Sequence, residues 1–477
     1  MYYTLVLLPL IGAVIAWCIP SNERRPLVLP VFSLLHMAAV TDALITPPPV
    51  SAGGWFHLDP LGKLFLGVIT LLFFICALYA VGYLAYRQER SNRVLCMTLL
   101  VCLAAMTMAT TTHHLGVLWV SIETTTVAMA PLIYFNKNAR SIEATWKYMM
   151  IGSVGIALAL LGLFFLAYST LVAGQTPTLL LEPLIAQSPQ LSTSWLNAAF
   201  IFLLVGFGTK MGLAPLHTWK PDAYGEAPGL VGALLAGGLV NCAFLGIIRI
   251  YQVCLGSGKI AFYQDVMIAM GLLSMATACV FMARQADFKR LLAYSSVEHV
   301  GILAIALGLG RGALFGALFH VVNNGLTKGV LFLSSGNIHR AYGSKNCEVV
   351  KGAMQRVPWS GGLFLAGFIA ITGSPPFSPF LSEFTIITSA FTQGENLVGA
   401  LFILFLAVIF IGMASTILPV VTGEAPAEVE KSPYRDRFLT IAPPLFLMLL
   451  IFMLGVWLPA PLKKLLQDAA ALLEVRG

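Results

Sequence analysis

The sequence predicts an all-α polytopic membrane protein with about fourteen transmembrane helices. Of its 477 residues, 58% are hydrophobic and only 10% are charged, and the mean hydropathy is +0.85, which excludes a soluble globular domain. Crossing a bilayer roughly 30 Å thick takes about 20 apolar residues in a helix, and runs of this length recur along the chain. They start near Tyr3, Leu27, Leu61, Val94, Leu115, Ile142, Asn197, Gly229, Phe262, Leu291, Ala313, Gly361, Leu397 and Leu439.

Basic residues indicate how these predicted spans, numbered in chain order, are oriented. Nearly all loop lysine and arginine falls in odd-numbered connections, for example Arg24 and Arg25 in the first, Lys220 in the seventh and Arg284 in the ninth. Because basic loops stay on the cytoplasmic side, we expect a multi-pass protein of the bacterial cytoplasmic (inner) membrane with both termini outside. The net charge of +7 then reflects topology, so no nucleic-acid partner is expected, only lipid and protein.

The sequence gives no sign of a cofactor. Its eight cysteines have no C-x-x-C spacing, and neither a P-loop nor a dinucleotide-binding fingerprint is present. We interpret the adjacent His113 and His114, at the outer end of the fourth or fifth span, as solvated residues at the membrane interface. We therefore expect no metal site, no bound cofactor and no catalytic centre in this chain.

A lysine inside an apolar helix is the most informative residue of the first half. Lys210 lies in span seven near the bilayer centre, where a cation costs from about 3 to more than 10 kcal/mol unless it finds a partner or loses its proton. Pro215 follows, and Gly206, Gly208 and Gly212 precede it, so this span should be broken. Glu123 in span five is the expected partner, either in a structural ion pair or in a pair that opens and closes.

The second half of the chain carries a polar track of its own. Span ten contains Glu298 beside His299, and span eleven has His320, Asn324 and Lys328 at i, i+4 and i+8, on one helical face. We interpret them as a relay for protons, the alternative being hydrogen-bonded core residues.

Span twelve contains the sequence ITGSPPFSPFLSEF, which should break the helix just before Glu383. Spans seven and twelve are thus both broken and five positions apart, which indicates two inverted five-helix repeats. The expected division is residues 1–93 with spans one to three, 94–256 with spans four to eight, 257–422 with spans nine to thirteen, and 423–477 with span fourteen and a short amphipathic tail.

Two further residues are possible members of a relay. Asn241 is the only strongly polar interior residue that we identify in span eight, where it is equally consistent with water binding and with helix packing. His217 follows the break in span seven. Neither an asparagine nor a lone histidine is specific on its own.

Several motifs resemble one membrane-protein family. The runs LLVGFGTKMGLAPLHTWKPDAYGEAPGLVGALLAGG, KRLLAYSSVEHVGIL, FHVVNNGLTKGVLFLSSGNI and GSPPFSPFLSEF resemble the antiporter-like membrane subunits of respiratory complex I, Mrp-type cation/proton antiporters and membrane-bound nickel–iron hydrogenases. APLHTWKPDAYGEAPG, SVEHVGIL and IEATWKY resemble the hydrogenase-4 component F branch most closely. The resemblance covers spans four to thirteen.

This resemblance implies site residues and partners. Glu123, Lys210, His320, Lys328 and Glu383 match the family's proton-translocating positions. Asn241 stands where many members have a lysine, Asn324 where some have a second histidine, and Ile156 where certain complex I subunits have an acid. Either water held by Asn241 bridges Lys210 to the His320 face, or the chain translocates protons weakly or not at all. The implied partners are antiporter-like neighbours, a hydrogenase or quinone-module membrane subunit, and peripheral nickel–iron and iron–sulfur subunits.

The expected function is therefore proton translocation within a respiratory redox complex of the group 4 nickel–iron hydrogenase or formate hydrogenlyase type. Any enzymatic activity would belong to that complex. Three alternatives remain open: a stand-alone or Mrp-type cation/proton antiporter subunit, a membrane subunit for inorganic-carbon uptake, and a membrane anchor that pumps nothing. The short tail after span fourteen favours a subunit with neighbours on both sides.

Overall fold

The computed structural model describes residues 1–426 and 433–474, and these residues are almost entirely helical. The long apolar runs form helices, and most of the connections between them contain proline or glycine. The helices are α1 (Tyr2–Cys18), α2 (Val28–Ile45), α3 (Pro60–Ala85), α4 (Arg93–Thr111), α5 (Leu115–Ile133), α6 (Ala139–Val172), α7 (Leu181–Gln187), α8 (Thr193–Met211), α9 (Lys220–Glu226), α10 (Gly229–Leu234), α11 (Val240–Leu255), α12 (Ile260–Met282), α13 (Phe288–Leu309), α14 (Gly312–Tyr342), α15 (Ala353–Arg356), α16 (Pro358–Ile371), α17 (Ser378–Thr392), α18 (Asn396–Thr422), α19 (Phe438–Val456) and α20 (Ala460–Ala471).

The polytopic helical architecture is confirmed. Among the described residues, eleven helices are long and apolar enough to cross a membrane, and α1 and α16 are shorter apolar helices. Each predicted span starts within four residues of a helix start. The total of fourteen spans, the orientation of the termini and the division into inverted repeats remain predictions.

Both spans that the sequence predicts to be broken are interrupted. α8 ends at Met211, where Gly212 takes a φ of +76°, and the chain becomes helical again only at α9. In the second half α16 ends at Ile371, Gly373 takes a φ of +67°, and α17 starts six residues after Thr372. Glycine adopts such left-handed backbone without steric cost. Each interruption leaves the last carbonyl groups of a helix without intrahelical donors.

α14 is the buried axis of the second half. It packs against α13, α16, α17, α19 and α10, and nearly all of its side chains are buried. Small residues allow the close contact with α10, since a Cβ at Gly229 would lie 2.4 Å from the carbonyl oxygen of Phe332. A π-helical segment, Leu235–Leu239, joins α10 to α11, and in it Gly237 faces Gly325 of α14.

Three basic residues in or beside the connections between the long helices are buried, which the sequence analysis does not predict. Arg25, Lys220 and Lys289 are each at most 1% exposed. Arg25 donates to carbonyl groups that follow α1, Lys220 to the last carbonyl of α8, and Lys289 to carbonyl groups at the end of α9. The physical reason is common to all three, because helix C-termini present unpaired carbonyl oxygens and partial negative charge that attract cations.

Candidate functional site

The first polar centre is an ion pair between α8 and α5. Lys210 Nζ lies 3.2 Å from Glu123 Oε2 and donates a hydrogen bond to the hydroxyl of Thr126. The Lys210 side chain is only 2% exposed, whereas that of Glu123 is 25% exposed. We call these three residues the ion-pair centre. Its cation is buried inside the protein, while its carboxylate side chain is partly exposed at the surface of the chain.

α6 forms the other wall of the ion-pair centre. The Lys210 ammonium lies 5.9 Å from the ring centre of Tyr148, and a Cβ at Gly152 would be 2.7 Å from Lys210 Nζ. Ser153 donates to Glu123 Oε1 at 3.4 Å. Since glycine leaves the space that the ammonium occupies, the position of Lys210 depends on this residue. α6 therefore fixes the lysine and contacts the carboxylate only weakly.

The second polar centre lies between α13 and α14. Lys328 Nζ donates to the hydroxyl of Ser295 at 2.7 Å, and that hydroxyl lies 3.5 Å from Glu298 Oε2. Both ionisable side chains are almost fully buried. Lys328 Nζ and the Glu298 carboxylate are not within 4 Å of each other. Ser295 therefore connects the buried cation to the buried carboxylate. The prediction named Lys328 and Glu298 but missed Ser295.

Two histidines continue from Glu298 to the second broken span. Glu298 Oε2 lies 3.9 Å from His299 Nε2, and His299 Nδ1 lies 3.0 Å from His320 Nε2. The other nitrogen of His320 is 3.0 Å from the Ser382 hydroxyl. Ligand atoms of His299, His320 and Glu383 all lie within 4.8 Å of one another. We call this series of side chains the histidine chain; its members, in spatial order, are Lys328, Ser295, Glu298, His299, His320 and Glu383.

Glu383 sits at the break itself. It is 3% exposed, and a Cβ at Gly373 would lie 2.1 Å from Glu383 Oε2. Only glycine therefore allows the carboxylate to lie against the interrupted backbone. Glu383 Oε1 has no hydrogen-bond partner among the described residues, which leaves it available to a neighbouring proton donor.

Lys220 contacts the backbone next to both centres, and the sequence analysis missed this position. It is fully buried, and its Nζ donates to the carbonyl of Met211 at 2.7 Å and to that of Ser296 at 3.3 Å. Met211 follows Lys210, and Ser296 follows Ser295. A sequence signal was available, because a lysine just after a broken helix has free carbonyl groups to bind.

Comparison with known proteins identifies the family. Residues 112–411, well over half of the chain, match the family described as NADH:quinone oxidoreductase/Mrp antiporter, TM. The chain belongs to this family. It is an antiporter-like membrane subunit, as the motifs predict.

Individual relatives agree with this assignment. The chain is 32% identical to the hydrogenase-4 component F homolog of Methylacidiphilum infernorum, over 98% of this chain and 99% of that protein. It is 28% identical to hydrogenase-4 component B of Escherichia coli over 75% of this chain, and it spans 54% of that relative's length. The fold matches a chain of the archaeal membrane-bound sulfane sulfur reductase, a respiratory membrane complex, with a TM-score of 0.89, 25% identity and coverage of 99% and 98%.

Three predicted relay residues of this antiporter-like subunit are not joined to the two centres by side-chain hydrogen bonds among the described residues. The Asn241 amide donates to the carbonyl of Gly237 in the π-helical segment that precedes α11. Asn324 Oδ1 has no partner, and His217 Nδ1 has none either, its ring lying beside aromatic side chains. Their roles as relay residues stay predictions. Lys220, on the other hand, contacts backbone from both halves of the subunit.

A clamp of ion pairs holds α9, the short helix that begins with Lys220. Asp222 contacts Lys147 of α6 at 2.8 Å and Arg290 of α13. At the other end of α9, Glu226 pairs with Lys345. Because these partners come from both sides of the molecule, α9 is tied to the first half and to the second half at once. Its position, and with it that of Lys220, depends on both.

At the far end of α11 lies a buried ion pair that the prediction for span eight missed. Arg249 is 1% exposed and forms a two-pronged contact with the Asp59 carboxylate at 2.6 and 2.7 Å. Burial raises the pKa of Asp59, but the charge and hydrogen bonds of Arg249 outweigh it and hold that pKa below its usual range. His113 lies against this pair and is 3% exposed, so the interpretation of His113 as a solvated residue is wrong.

Proposed function

We propose that this chain is a proton-translocating subunit of a respiratory redox complex of the nickel–iron hydrogenase type. One observation carries the proposal: a buried lysine, Lys210, is paired at 3.2 Å with the partly exposed carboxylate of Glu123. Similarity over the full length of a hydrogenase-4 component F homolog supports the kind of complex. An electron-transfer reaction in a peripheral arm would supply the energy, since we expect no cofactor in this chain.

The proposed mechanism is a switch in the charge partner of Lys210. With Glu123 at 3.2 Å, the ammonium form is stabilised. When Glu123 moves away, the buried ammonium loses its counter-charge, and the neutral amine is favoured in a medium of low dielectric constant. The released proton then passes towards the second half. Glu123 returns to Lys210, and the amine takes up a new proton, which resets the pair.

Lys220 is the proposed carrier between the two centres. It hydrogen-bonds to backbone next to Lys210 and next to Ser295. From there the histidine chain leads through His299 and His320 to Glu383, which we propose as the exit or entry carboxyl. Each transfer moves one proton between groups that can both hold it, so no step creates or removes charge overall.

The proposal also includes location and partners. The subunit would lie in the bacterial cytoplasmic (inner) membrane with both termini outside. It would be bound by antiporter-like membrane neighbours and a hydrogenase or quinone-module membrane subunit, with peripheral nickel–iron and iron–sulfur subunits in the same complex.

The test combines purification with transport. The chain, tagged in its native host, is purified with its complex in mild detergent, and the copurifying proteins are identified by mass spectrometry. A nickel–iron large subunit among them supports the proposed complex, and its absence refutes that part. The complex is then reconstituted in proteoliposomes, where the number of protons moved per electron must fall when Lys210 is replaced by Met. An unchanged ratio would show that this chain does not translocate protons.

A further inference from the structure

Three chain segments meet at the end of the helix bundle, two before the starts of helices and one in the first turn of α7, and each carries one side chain that can bind a metal ion. The N–H of His57 donates to the carbonyl of Thr111 at 3.0 Å, and the N–H of Leu181 donates to that of His113 at 2.9 Å. The segments that carry His57, His113 and Glu182 are therefore fixed to one another by backbone hydrogen bonds. They come from the starts of α3, α5 and α7.

The three side chains converge. Their potential ligand atoms lie within 4.8 Å of one another, and His113 Nδ1 is 3.5 Å from the Glu182 carboxylate. The rings of His57 and His113 have centres 4.7 Å apart. Zinc holds nitrogen and oxygen ligands at about 2.0–2.2 Å, which places them roughly 3.3 Å from one another in a tetrahedron. Glu182 is largely exposed and His57 half-buried, so both can move the short distance required.

His113 presents its Nδ1 to the other two side chains. It is 3% exposed, and its Nδ1 has no hydrogen-bond partner among the described residues. Its Nε2 lies 3.7 Å from Asp59 and 3.3 Å from Arg249. Because a guanidinium can only donate, Nε2 accepts from Arg249 when no metal is bound, and the proton on Nδ1 then faces Glu182. A metal ion at Nδ1 would displace that proton, and a proton on Nε2 would then face the Asp59 carboxylate, which is the kind of group that orients zinc-bound histidines.

We propose that His57, His113 and Glu182 bind a divalent transition-metal ion such as Zn²⁺. Two imidazoles and one carboxylate are a common zinc ligand set that leaves one position for water. His57 and Glu182 line a cleft of about 570 Å³, so an ion has a path from solvent. Arg249 and Asp59 cancel each other's charge, and Glu182 adds a negative charge that favours a cation. This site departs from our expectation, drawn from the sequence, that the chain binds no metal.

Metal titration of the purified full chain tests the site. The chain is stripped with a chelator in detergent, Zn²⁺ is titrated by calorimetry, and Co²⁺ is added to read coordination from its visible absorption. We expect one Zn²⁺ per chain, and at least about tenfold weaker binding in Glu182→Gln and in His57→Gln. Glu474→Gln is the matched control, because Glu474 is an exposed acid lining the same cleft, and it should keep wild-type affinity.

Fold integrity is checked separately, by size-exclusion chromatography and circular dichroism of each variant without metal. The two test positions are outside the buried core, so both variants should match the wild-type chain. Equal zinc affinity in wild type, Glu182→Gln and His57→Gln would overturn the proposal. So would an equal loss of affinity in Glu474→Gln, since that result would indicate diffuse binding to acidic groups of the cleft.

Discussion

Replacing Glu123 with Gln should stop proton translocation through this subunit while leaving its shape unchanged. The substitution removes a charge 3.2 Å from Lys210 Nζ. At an effective dielectric constant of about 20 this attraction amounts to roughly 5 kcal/mol, and solvent at the partly exposed carboxylate lowers it further. The remaining hydrogen bond to Thr126 supplies about 1.5–3 kcal/mol at most. Lys210 should therefore remain neutral, because the ammonium form has lost most of its stabilisation.

The assay is the number of protons moved per electron by the reconstituted complex, with hydrogenase or other redox turnover measured in parallel. Glu143→Gln is the matched control, since Glu143 forms an exposed pair with Lys147 on neighbouring α6. We expect at least about a tenfold fall in translocation for Glu123→Gln, because each 1.36 kcal/mol changes an equilibrium tenfold, and no change for Glu143→Gln. Equal ratios in the two variants would refute the switch. If only the amount of assembled complex falls, the pair is structural.

Three other substitutions examine separate parts of the structure. Lys220→Met should leave assembly intact but lower proton transfer between the two halves, measured as protons per electron. Gly373→Ala should lower both yield and translocation, because its Cβ would lie 2.1 Å from the Glu383 carboxylate on a backbone with a φ of +67°. Asp59→Asn leaves the Arg249 charge buried without its counter-charge, which should cost about 3–5 kcal/mol and lower the thermal unfolding midpoint in detergent.

Each of these expectations has a result that contradicts it. Normal translocation in Lys220→Met would exclude the lysine as the link between the two centres. Gly362→Ala is the control for the glycine substitution, since nothing lies within 4 Å of its Cβ position; an equal effect of both changes would exclude the contact with Glu383. An unchanged unfolding midpoint in Asp59→Asn would show that Arg249 reaches solvent or another partner.

Much of the fold follows from local physics and could be predicted. A run of 20 apolar residues has to become a helix in lipid, because every backbone polar group must be satisfied internally. Proline and glycine clusters therefore marked the interruptions after Met211 and Ile371, and both are present. The pair of Lys210 with Glu123 was predictable for a similar reason, since a buried cation requires a partner and the sequence offered few.

The features that the sequence did not reveal share a physical cause. Lys220, Lys289 and Arg25 bind backbone carbonyl groups at helix ends, and only for Lys220 does a broken helix just before the residue indicate such acceptors. Arg249 and Asp59 are 190 residues apart, so only the tertiary structure shows that they pair. Ser295 connects Lys328 to Glu298 through a hydroxyl, and serine is too common in helices to be recognised as a link from sequence alone.

The sequence analysis left Asn241 as the weak point of the proton route between the two halves. The position of Lys220 offers a route that does not depend on Asn241. Lys210 and Lys328 each have a carboxylate nearby, directly or through Ser295. Among the described residues, no carboxylate lies within 4 Å of Lys220 Nζ, and backbone carbonyl oxygens are its hydrogen-bond acceptors. Carbonyl dipoles stabilise a buried ammonium less than a full negative charge does, so the protonation of Lys220 should respond most strongly to the charges of its neighbours. The route that we propose therefore runs through Lys220, a titratable side chain on a helix held by ion pairs to both halves, whereas the Asn241 amide cannot hold a proton.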